Sequence, residues 1–284
     1  MELSTLTIEL TQRQFEKISS IVYDLCGINL HIGKKELVRA RLSKRLRQLG
    51  LRDFGEYIAY LKNDASGQEI VDMLDAISTN LTSFFRESDH FEYLSKQILP
   101  RLVQKRGKEP GRKLRIWSAG CSSGEEPYTI AIVLSKQIQN LAGWDAAILA
   151  TDISTRMLDT GRRGEYAEAR LKNVPVQMQS GCFECIEPKK PRVYCVQPEI
   201  RRLVSFARLN LLENWPMQGK FDVIFCRNTM IYFDKQTQAG LVGRFWENLN
   251  DGGTMFIGHS ESLTGVKHKF KYVQPTVYLK VCPD

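Results

Sequence analysis

Residues 114–128 read LRIWSAGCSSGEEPY, and this stretch decides the fold of the larger part of the chain. The apolar run at 114–117 is typical of a short strand, and the small residues after it predict a tight turn. A helix is predicted to begin near Pro127, because a proline at the first helical position lacks only an N–H that would have no partner there. The segment is therefore a strand, a glycine-containing turn and a helix.

The same unit recurs further along the chain. Short apolar runs that we predict to be strands lie at 147–150, 204–207, 221–226, 254–257 and 277–279, and helical patterns separate several of them. This alternation predicts a mostly parallel sheet covered by helices on both faces. Residues 175–203 interrupt it with prolines, cysteines and short β-like runs, so we interpret them as an inserted β-subdomain.

The first third of the sequence is predicted to be helical instead. Thr11, with Gln14 three residues later, is a predicted N-cap, and the first apolar stripe stops at Gly27. Polar residues with Gly and Pro at 106–113 have the composition of a linker. We therefore expect a helical N-terminal domain over residues 1–85, a connecting helix and linker over 86–113, and an α/β domain over 114–284.

Composition excludes several classes of protein. The chain has 284 residues, of which 43% are hydrophobic and 25% are charged, so it is expected to be globular, with two domains. It contains no apolar run approaching the roughly 20 residues that a membrane-spanning helix needs. The N-terminal residues do not have the pattern of a secretion signal, so the seven cysteines are expected to be free thiols in the cytoplasm.

The net charge of +8 favours an anionic partner, and the positive charge is concentrated between residues 34 and 52. Val38, Leu42, Leu46 and Leu49 recur there at helical spacing and form one narrow apolar stripe. The basic residues around the stripe are Lys34, Lys35, Arg39, Arg41, Lys44, Arg45, Arg47 and Arg52. They form either an ordinary solvated helix face or a docking face for a negatively charged surface.

Polar residues follow three of the predicted strands at their carboxyl ends, where open α/β sheets bind ligands. The turn at 120–128 lacks the spacing of dinucleotide-binding turns, and Glu125 and Glu126 would repel a pyrophosphate, so a cationic ligand fits better. Asp152 stands where a ribose diol would be held. Each feature also has a purely structural alternative. The turn at 120–128 would be an ordinary tight turn with helix-favouring glutamates, Asp152 a helix cap, and Arg227 and Asn228 part of a hydrated loop.

Five segments together resemble the CheR family of bacterial chemotaxis receptor methyltransferases. They are TNLTSFFR at 79–86, GCSSGEEPY at 120–128, TDI at 151–153, CRNTMIYF at 226–233 and GHSES at 258–262. The resemblance implies an α/β, Rossmann-like S-adenosylmethionine-dependent methyltransferase domain with a small β insert, preceded by an all-α N-terminal domain. It also implies methyl transfer from S-adenosylmethionine to glutamate side chains of chemoreceptors, with S-adenosylhomocysteine as the other product.

Site residues follow from the resemblance by motif position. It implies that the cofactor is contacted by Asn80, Thr82, Arg86, Glu126, Asp152, Asn210, Leu211, Arg227 and Asn228. Glu126 would hold the amino group and Asp152 the ribose hydroxyls, while Arg86 and Tyr232 are the catalytic candidates beside the transferring methyl. The basic helix would meet the receptor through Lys34, Lys35, Arg39, Arg41, Lys44, Arg45 and Arg47.

The chemistry that this predicts requires no general base, because a glutamate acceptor with a pKa of ~4.3 is already ionised near neutrality. Cys182, Cys185 and Cys195 have part of the spacing of a zinc site. A structural zinc site needs four ligands and no nearby histidine completes the set, so no metal is expected. Whether the insert binds a receptor C-terminal pentapeptide as an added strand is left open.

Two other functions are considered. A nucleic-acid methyltransferase is disfavoured, because the segment after the fourth strand lacks the Pro-Pro-aromatic motif of amino-methylating DNA enzymes. A non-catalytic module that binds the cofactor would use the same residues. The expected partner is the cytoplasmic domain of chemoreceptors, with no nucleic acid, and membrane association only through the receptors. We expect a cytoplasmic monomer that is recruited to receptor arrays.

Overall fold

The computed structural model describes residues 8–77, 80–107 and 111–281. Two compact units divide the chain, one comprising the residues up to 79 together with 232–234, the other comprising 80–231 and 235–284. Thr79 of the first motif and residues 108–110 of the predicted linker lie outside the described residues. Among the helices of the described residues, none has the length and apolar character needed to cross a membrane.

The first unit is helical, as predicted. Its helices are α1 (Gln12–Cys26), α2 (Lys35–Leu49), α3 (Phe54–Asn63) and α4 (Gln68–Ile77). Thr11 and Gln14 form the predicted capping box at the start of α1. Helices α1 and α2 end at Gly27 and Gly50, both with φ of 70°, a conformation that glycine adopts without a Cβ penalty.

Helix α2 buries its apolar stripe. Val38, Leu42 and Leu46 are fully buried as predicted, whereas Leu49 at the end of the helix is only half-buried. Arg45 of the same helix does not face solvent freely, because it forms a two-point ion pair with the buried Glu69 of α4. Such a buried carboxylate is tolerated when it is paired and hydrogen-bonded, so this arginine joins α2 to α4.

The second unit opens with one long helix in three parts: α5 (Ser88–Tyr93), a π-helical turn (Leu94–Ile98) and α6 (Leu99–Arg106). Its other helices are α7 (Glu125–Gln137), α8 (Thr155–Arg163), α9 (Val176–Cys182), α10 (Pro198–Arg201) and α11 (Lys235–Asn248). The strands are β1 (Lys113–Ala119), β2 (Asp145–Asp152), β3 (Glu165–Ala167), β4 (Phe183–Glu187), β5 (Val193–Val196), β6 (Val204–Arg208), β7 (Phe221–Cys226), β8 (Leu249–Ile257), β9 (Lys271–Gln274) and β10 (Val277–Leu279).

Seven of these strands form the main sheet, in the order β6-β2-β1-β7-β8-β10-β9. The first five run parallel, and β10 pairs antiparallel with both β8 and β9. The predicted mostly parallel sheet is confirmed. Every residue of β7 is buried, which explains its continuous apolar sequence at the centre of the sheet.

Three details differ from the prediction. Helix α7 begins at Glu125, two residues before Pro127, and β8 begins at Leu249, five residues before the strand predicted at 254–257. Strand β9 has no counterpart in the prediction. It lies at the edge of the sheet and is mostly exposed, so its sequence lacks the apolar pattern that marks a buried strand.

A second, three-stranded antiparallel sheet has the order β3-β5-β4. Its last two strands fall within the predicted insert at 175–203, but β3 precedes it at Glu165–Ala167. Cys182 is buried, Cys185 is exposed and Cys195 is half-buried, and all three are free thiols. Cys185 lies opposite Tyr194, the neighbour of Cys195, so the side chains of Cys185 and Cys195 point to opposite faces of this sheet.

A buried acid fixes the amino end of the main sheet. Asp222 at the start of β7 pairs with Arg106 from the end of α6 at 2.7 Å. It also accepts hydrogen bonds from the Arg115 backbone N–H at 2.9 Å and from the Asn250 side chain at 2.8 Å. These contacts join α6, β1, β7 and β8 at the edge of the sheet opposite to the predicted site.

Candidate functional site

The turn after β1 lies against the carboxyl end of β2. The backbone N–H groups of Gly120 and Cys121 donate to the Thr151 carbonyl at 2.8 and 2.9 Å. Gly120 has a φ of 83°, and a Cβ there would lie 2.3 Å from Oγ1 of Thr229, in the segment after β7. Only glycine therefore lets the turn approach the ends of β2 and β7 so closely.

Asp152 ends β2 and is almost fully buried. Its carboxylate accepts the backbone N–H groups of Ser122 at 2.8 Å and Ser154 at 2.9 Å, which fixes its position beside the turn. Leu209 donates its N–H to the Asp152 carbonyl at 3.0 Å, and this contact brings the buried Asn210 beside the end of β2. Asn210 and the buried Leu211 thus lie at the same edge of the sheet as Asp152.

Glu126 lies in the first turn of α7 and is half-buried, with its side chain only 13% exposed. Its carboxylate accepts a hydrogen bond from Ser118 at 2.7 Å and pairs with Arg227 at 3.2 Å. Burial raises the pKa of the Glu126 carboxyl above its ordinary value, although Arg227 and Ser118 partly oppose that shift.

Arg227 follows β7, and its side chain is only 2% exposed. Its guanidinium donates to one oxygen of Glu87 at 2.9 and 3.2 Å and to the Arg86 carbonyl, and it also reaches Glu126. Burial raises the pKa of the Glu87 carboxyl, but Arg227 and Asn228 outweigh it and hold that pKa below its ordinary value. Arg227 therefore bridges two carboxylates, that of Glu87 just before α5 and that of Glu126 in α7.

Arg86 is the more accessible arginine of the site, with 36% of its side chain exposed. It donates to the Leu81 carbonyl at 2.7 Å and to the Asn228 side chain at 2.9 Å. The amide nitrogen of Asn228 in turn donates to Glu87 at 3.1 Å. Arg86 is thus oriented by two hydrogen bonds to neutral oxygen atoms and by a longer ion pair, 3.9 Å, with Glu87, and part of its guanidinium faces solvent.

Glu261 holds the segment after β7 in place through backbone hydrogen bonds. Its carboxylate accepts backbone N–H groups from Gly258 at 2.6 Å, Asn228 at 2.9 Å and Ile231 at 3.1 Å. Burial raises the pKa of the Glu261 carboxyl, and these amides oppose the rise. A Cβ on Gly258 would lie 2.7 Å from the Asn228 nitrogen, so this position also requires glycine.

Backbone strain is concentrated in these segments. Phe85, Glu87, Ser122 and Asn228 have φ angles of 53°, 56°, 49° and 57°. Non-glycine residues adopt the left-handed region at a cost of about 1–3 kcal/mol each, and they cluster at functional sites, where the surrounding contacts enforce them.

Most of the predicted site residues meet at this edge of the sheet. Arg86, Glu126, Arg227 and Asn228 are joined by direct contacts, and Asp152 holds Ser122, whose hydroxyl donates to the Asn80 carbonyl at 3.2 Å. Thr82 lies half-buried between Asn80 and Arg86 in the sequence.

Tyr232 belongs to the first compact unit. Its carbonyl accepts the Asn29 N–H at 2.9 Å, and the Lys34 ammonium lies 5.0 Å from its ring centroid. Its predicted place beside the transferring methyl remains a prediction.

Two residues of the network were given no role from the sequence. Glu87 lies just outside the first motif, and Glu261 lies within the last motif, for which the sequence suggests no chemical role. Their contacts run to residues about 140 and about 30 positions away, which no local pattern reveals.

A metal-ion site is disfavoured here. Glu87, His90 and His259 place potential ligand atoms within 4.8 Å of one another. However, both oxygens of Glu87 already accept hydrogen bonds from Arg227 or Asn228, so a metal ion would face the buried guanidinium directly.

The donor and acceptor set fits S-adenosylmethionine. Carboxylates at Glu126 and Asp152 lie at the carboxyl ends of β1 and β2, where an ammonium group and a ribose diol can be bound. Glu87 and Glu261 add further negative charge near Arg86 and Arg227. This excess of acid suits the positive sulfonium and amino groups of the cofactor.

Comparisons with known proteins identify the family of this chain. Residues 80–279 match the family model described as CheR methyltransferase, SAM binding domain, and residues 13–78 match CheR methyltransferase, all-alpha domain. A chemotaxis protein methyltransferase of Borreliella burgdorferi is 41% identical over 277 residues, which cover 97% of this chain and 96% of that protein. The chemotaxis protein methyltransferase of Escherichia coli is 38% identical over 97% of this chain and 95% of its own length.

A third relative, a probable chemotaxis protein methyltransferase of Rhizobium etli, is 42% identical over 91% of this chain and 96% of its own length. Family models and relatives thus cover both the helical unit and the α/β unit. The chain therefore belongs to the CheR methyltransferase family, and it is an S-adenosylmethionine-dependent enzyme of the protein-glutamate O-methyltransferase type.

Proposed function

We propose that this enzyme methylates glutamate side chains in the cytoplasmic domain of chemoreceptors and thereby serves sensory adaptation in chemotaxis. The observation that carries the proposal is Arg86, a partly exposed guanidinium whose two hydrogen bonds go to neutral oxygens and whose Nε lies 3.9 Å from Glu87. An arginine in this state can bind an incoming carboxylate through two hydrogen bonds. The names of the relatives support chemotaxis as the process.

S-adenosylmethionine supplies an activated methyl group when it is bound. In our proposal Glu126 accepts hydrogen bonds from its amino group and Asp152 from its ribose hydroxyls, while Asn80, Thr82, Asn210 and Leu211 line the same edge of the sheet. Arg86 orients the acceptor carboxylate, which is already ionised, so the chain needs to move no proton. Alignment and exclusion of water are then the main contributions of the protein.

Arg227 and Asn228 act mainly as positioning residues in this proposal. Arg227 is almost inaccessible and its hydrogen bonds go to Glu87, Glu126 and the Arg86 carbonyl. It therefore fixes the carboxylate of Glu126 and the backbone of Arg86 at once. Asn228 orients the Arg86 side chain directly.

Receptor docking is proposed for the basic face of α2. Lys44 and Arg47 are exposed, and Lys35 and Arg39 are half-buried. Arg41 and Arg45 of the predicted set are engaged within the helical unit, with the Ile77 carbonyl and with Glu69. Lys34 lies against Tyr232, and burial, aided by Arg41, lowers its pKa. We therefore propose that Lys44 and Arg47 are the main residues that bind the acidic surface of the receptor.

The decisive experiment measures methyl transfer from labelled S-adenosylmethionine to receptor-containing membranes, scored as base-labile label. Arg86→Ala and Tyr232→Phe should reduce turnover much more than affinity for S-adenosylhomocysteine, because they act on the acceptor. Arg101→Ala removes an exposed arginine that donates to the Gln97 carbonyl of the same long helix, and it should leave both unchanged. Absence of base-labile label with the wild-type enzyme would contradict the proposal.

Docking is tested separately with Lys44→Glu combined with Arg47→Glu. The pair should raise KM for receptor without changing S-adenosylhomocysteine affinity, because both residues lie outside the cofactor-binding unit. Lys17→Glu, on an exposed position of α1, is the control. An equal rise in KM for the control would mean that only overall charge matters.

Two further outcomes decide between the alternatives. Methylation of DNA would favour a nucleic-acid enzyme, and tight cofactor binding without any transfer would favour a non-catalytic module. We also propose that the protein is a cytoplasmic monomer recruited to receptor arrays. Sedimentation of the pure protein and fluorescence localisation in cells with and without receptors would check both statements.

A further inference from the structure

A cavity of about 370 Å³ lies on the α/β unit beside the edge strand β6. It is lined by Tyr128, Arg162, Pro198, Arg201, Arg202, Val204 and Phe206. None of these residues has a role in the methyl-transfer site described above. Its volume falls within the range of small-molecule sites.

Three arginines converge on this cavity from α8, α10 and the residue after α10. Arg162 is paired with Asp159 at 2.7 Å. Arg201 donates to the Arg162 carbonyl at 2.9 Å and to the Cys195 sulfur at 3.8 Å, both of which are neutral. Within the described part of the chain, no carboxylate lies within 4 Å of the guanidinium of Arg201 or Arg202.

This arrangement concentrates positive charge that suits an anion. Arg201 is half-buried, and its guanidinium also interacts with the hydroxyl of Tyr128. Arg162 and Arg202 are exposed, so they can reach a ligand from the rim, and a bound anion would neutralise the charge that the three guanidiniums concentrate here. Arginine is also the residue whose planar donor fork matches a phosphate.

The walls of the cavity are aromatic and aliphatic. Val204 and Phe206 are two residues apart on β6, so both project from the same face of the sheet. Phe206 makes an edge contact with Tyr128, with ring centroids 5.7 Å apart, and it packs against Gly161, where a Cβ would lie 2.5 Å from its ring. The Tyr128 hydroxyl donates to the Gly161 carbonyl at 2.7 Å, which holds the ring in place.

We propose that this cavity is a second ligand site, which binds a phosphate monoester carrying a planar ring, of the class of nucleoside monophosphates. The phosphate would be bound by Arg201 and Arg202, with Arg162 at the rim. The ring would lie against Phe206 and Val204. This assignment does not depend on the identity of the methyl acceptor.

The test is calorimetric titration of the full chain with GMP in the presence of saturating S-adenosylhomocysteine, which occupies the methyl-transfer site. One GMP should bind per chain, and both guanosine and inorganic phosphate should bind at least about tenfold more weakly. Arg201→Ala combined with Arg202→Ala should weaken GMP binding by about tenfold or more, because the two guanidiniums supply the charge-assisted hydrogen bonds to the phosphate.

The matched control is Arg163→Ala, which removes the same charge from the neighbouring exposed position of α8, outside the cavity lining. Its GMP affinity should be unchanged. Phe206→Leu should weaken GMP binding while leaving binding of inorganic phosphate unchanged, and thermal unfolding of each variant without ligand checks that it is folded.

Three results would overturn the assignment: no GMP binding at millimolar concentration, an affinity unaffected by loss of Arg201 and Arg202, or an equal loss in the Arg163→Ala control. Inorganic phosphate that binds as tightly as GMP would overturn the role of the ring.

Discussion

Strand β7 carries an arginine–carboxylate cluster at each of its ends. At the amino end, Asp222 is one buried carboxylate that receives Arg106, a backbone N–H and an asparagine side chain. At the carboxyl end, Arg227 is one buried arginine shared by Glu87 and Glu126. Both clusters combine arginine with carboxylates. Hydrogen-bond donors outnumber the carboxylate at the amino end, whereas carboxylates outnumber the buried arginine at the carboxyl end.

The backbone shows the same contrast. The positive φ angles of Phe85, Glu87, Ser122 and Asn228 all lie at the carboxyl end of the sheet. At the amino end, the hydrogen-bond donors satisfy the carboxylate of Asp222 and the backbone is regular, so this cluster stabilises the fold. A cluster with surplus acid and enforced strain is suited to binding a cationic ligand, at some cost in stability.

Arg227→Met should have the largest effect. The change leaves Glu87 and Glu126 without their shared guanidinium, and loss of one partner of a buried pair costs about 3–5 kcal/mol. Turnover should fall by at least about 100-fold, because Glu126 and the Arg86 backbone are no longer fixed. Methyl-transfer assays and denaturant unfolding measure the two effects. Turnover close to wild type would show that the cluster is merely structural.

Asp222→Ala provides the matched change at the other end of β7. It should lower the free energy of unfolding by about 3 kcal/mol, because Arg106 loses its buried partner. Turnover per folded molecule and S-adenosylhomocysteine affinity should stay within about twofold of wild type. A large loss of turnover in the fully folded variant would erase the distinction between the two ends.

His90 makes the carboxyl-end cluster sensitive to acid. Burial, together with Arg227, lowers the pKa of His90 to about 4, below its usual value of about 6.5. Between these values the unfolded chain binds more protons than the folded chain, so stability falls as the pH drops from about 6.5 to 4. The loss from this group should be about 3 kcal/mol, and it is absent above about pH 6.5.

Denaturant unfolding across this pH range tests the statement. His90→Gln should flatten the slope, whereas His31→Gln, at an exposed position of the helical unit, should retain it. A slope that is unchanged by His90→Gln would assign the acid sensitivity to other groups.

Two glycine substitutions give the smallest and most local test. Gly258→Ala would place a Cβ 2.7 Å from the Asn228 nitrogen and should reduce turnover by about tenfold while costing about 1–3 kcal/mol of stability. Gly243→Ala lies in the middle of α11 with nothing within 4 Å, and it should stabilise the fold by about 0.5–1 kcal/mol. Equal effects at both positions would show that the site has room to adjust.

The sequence by itself determined the elements whose signals are local. The capping box at Thr11, the end of α1 at Gly27 and the buried strand β7 follow from side chains within a few residues of one another. The turn after β1 and the acid that ends β2 were also identified, because parallel strands place their carboxyl ends at one edge.

Only the tertiary structure decided which side chains form ion pairs and hydrogen bonds with one another. Glu87 and Arg227 are 140 residues apart, and Arg45 meets Glu69 across two helices rather than facing a partner freely. The edge strand β9 and the three-arginine cavity likewise depend on which elements become neighbours. The period of the apolar residues indicates which face of a single helix or strand is buried. The energy of an ion pair depends instead on a distance between two elements, which only the folded chain sets.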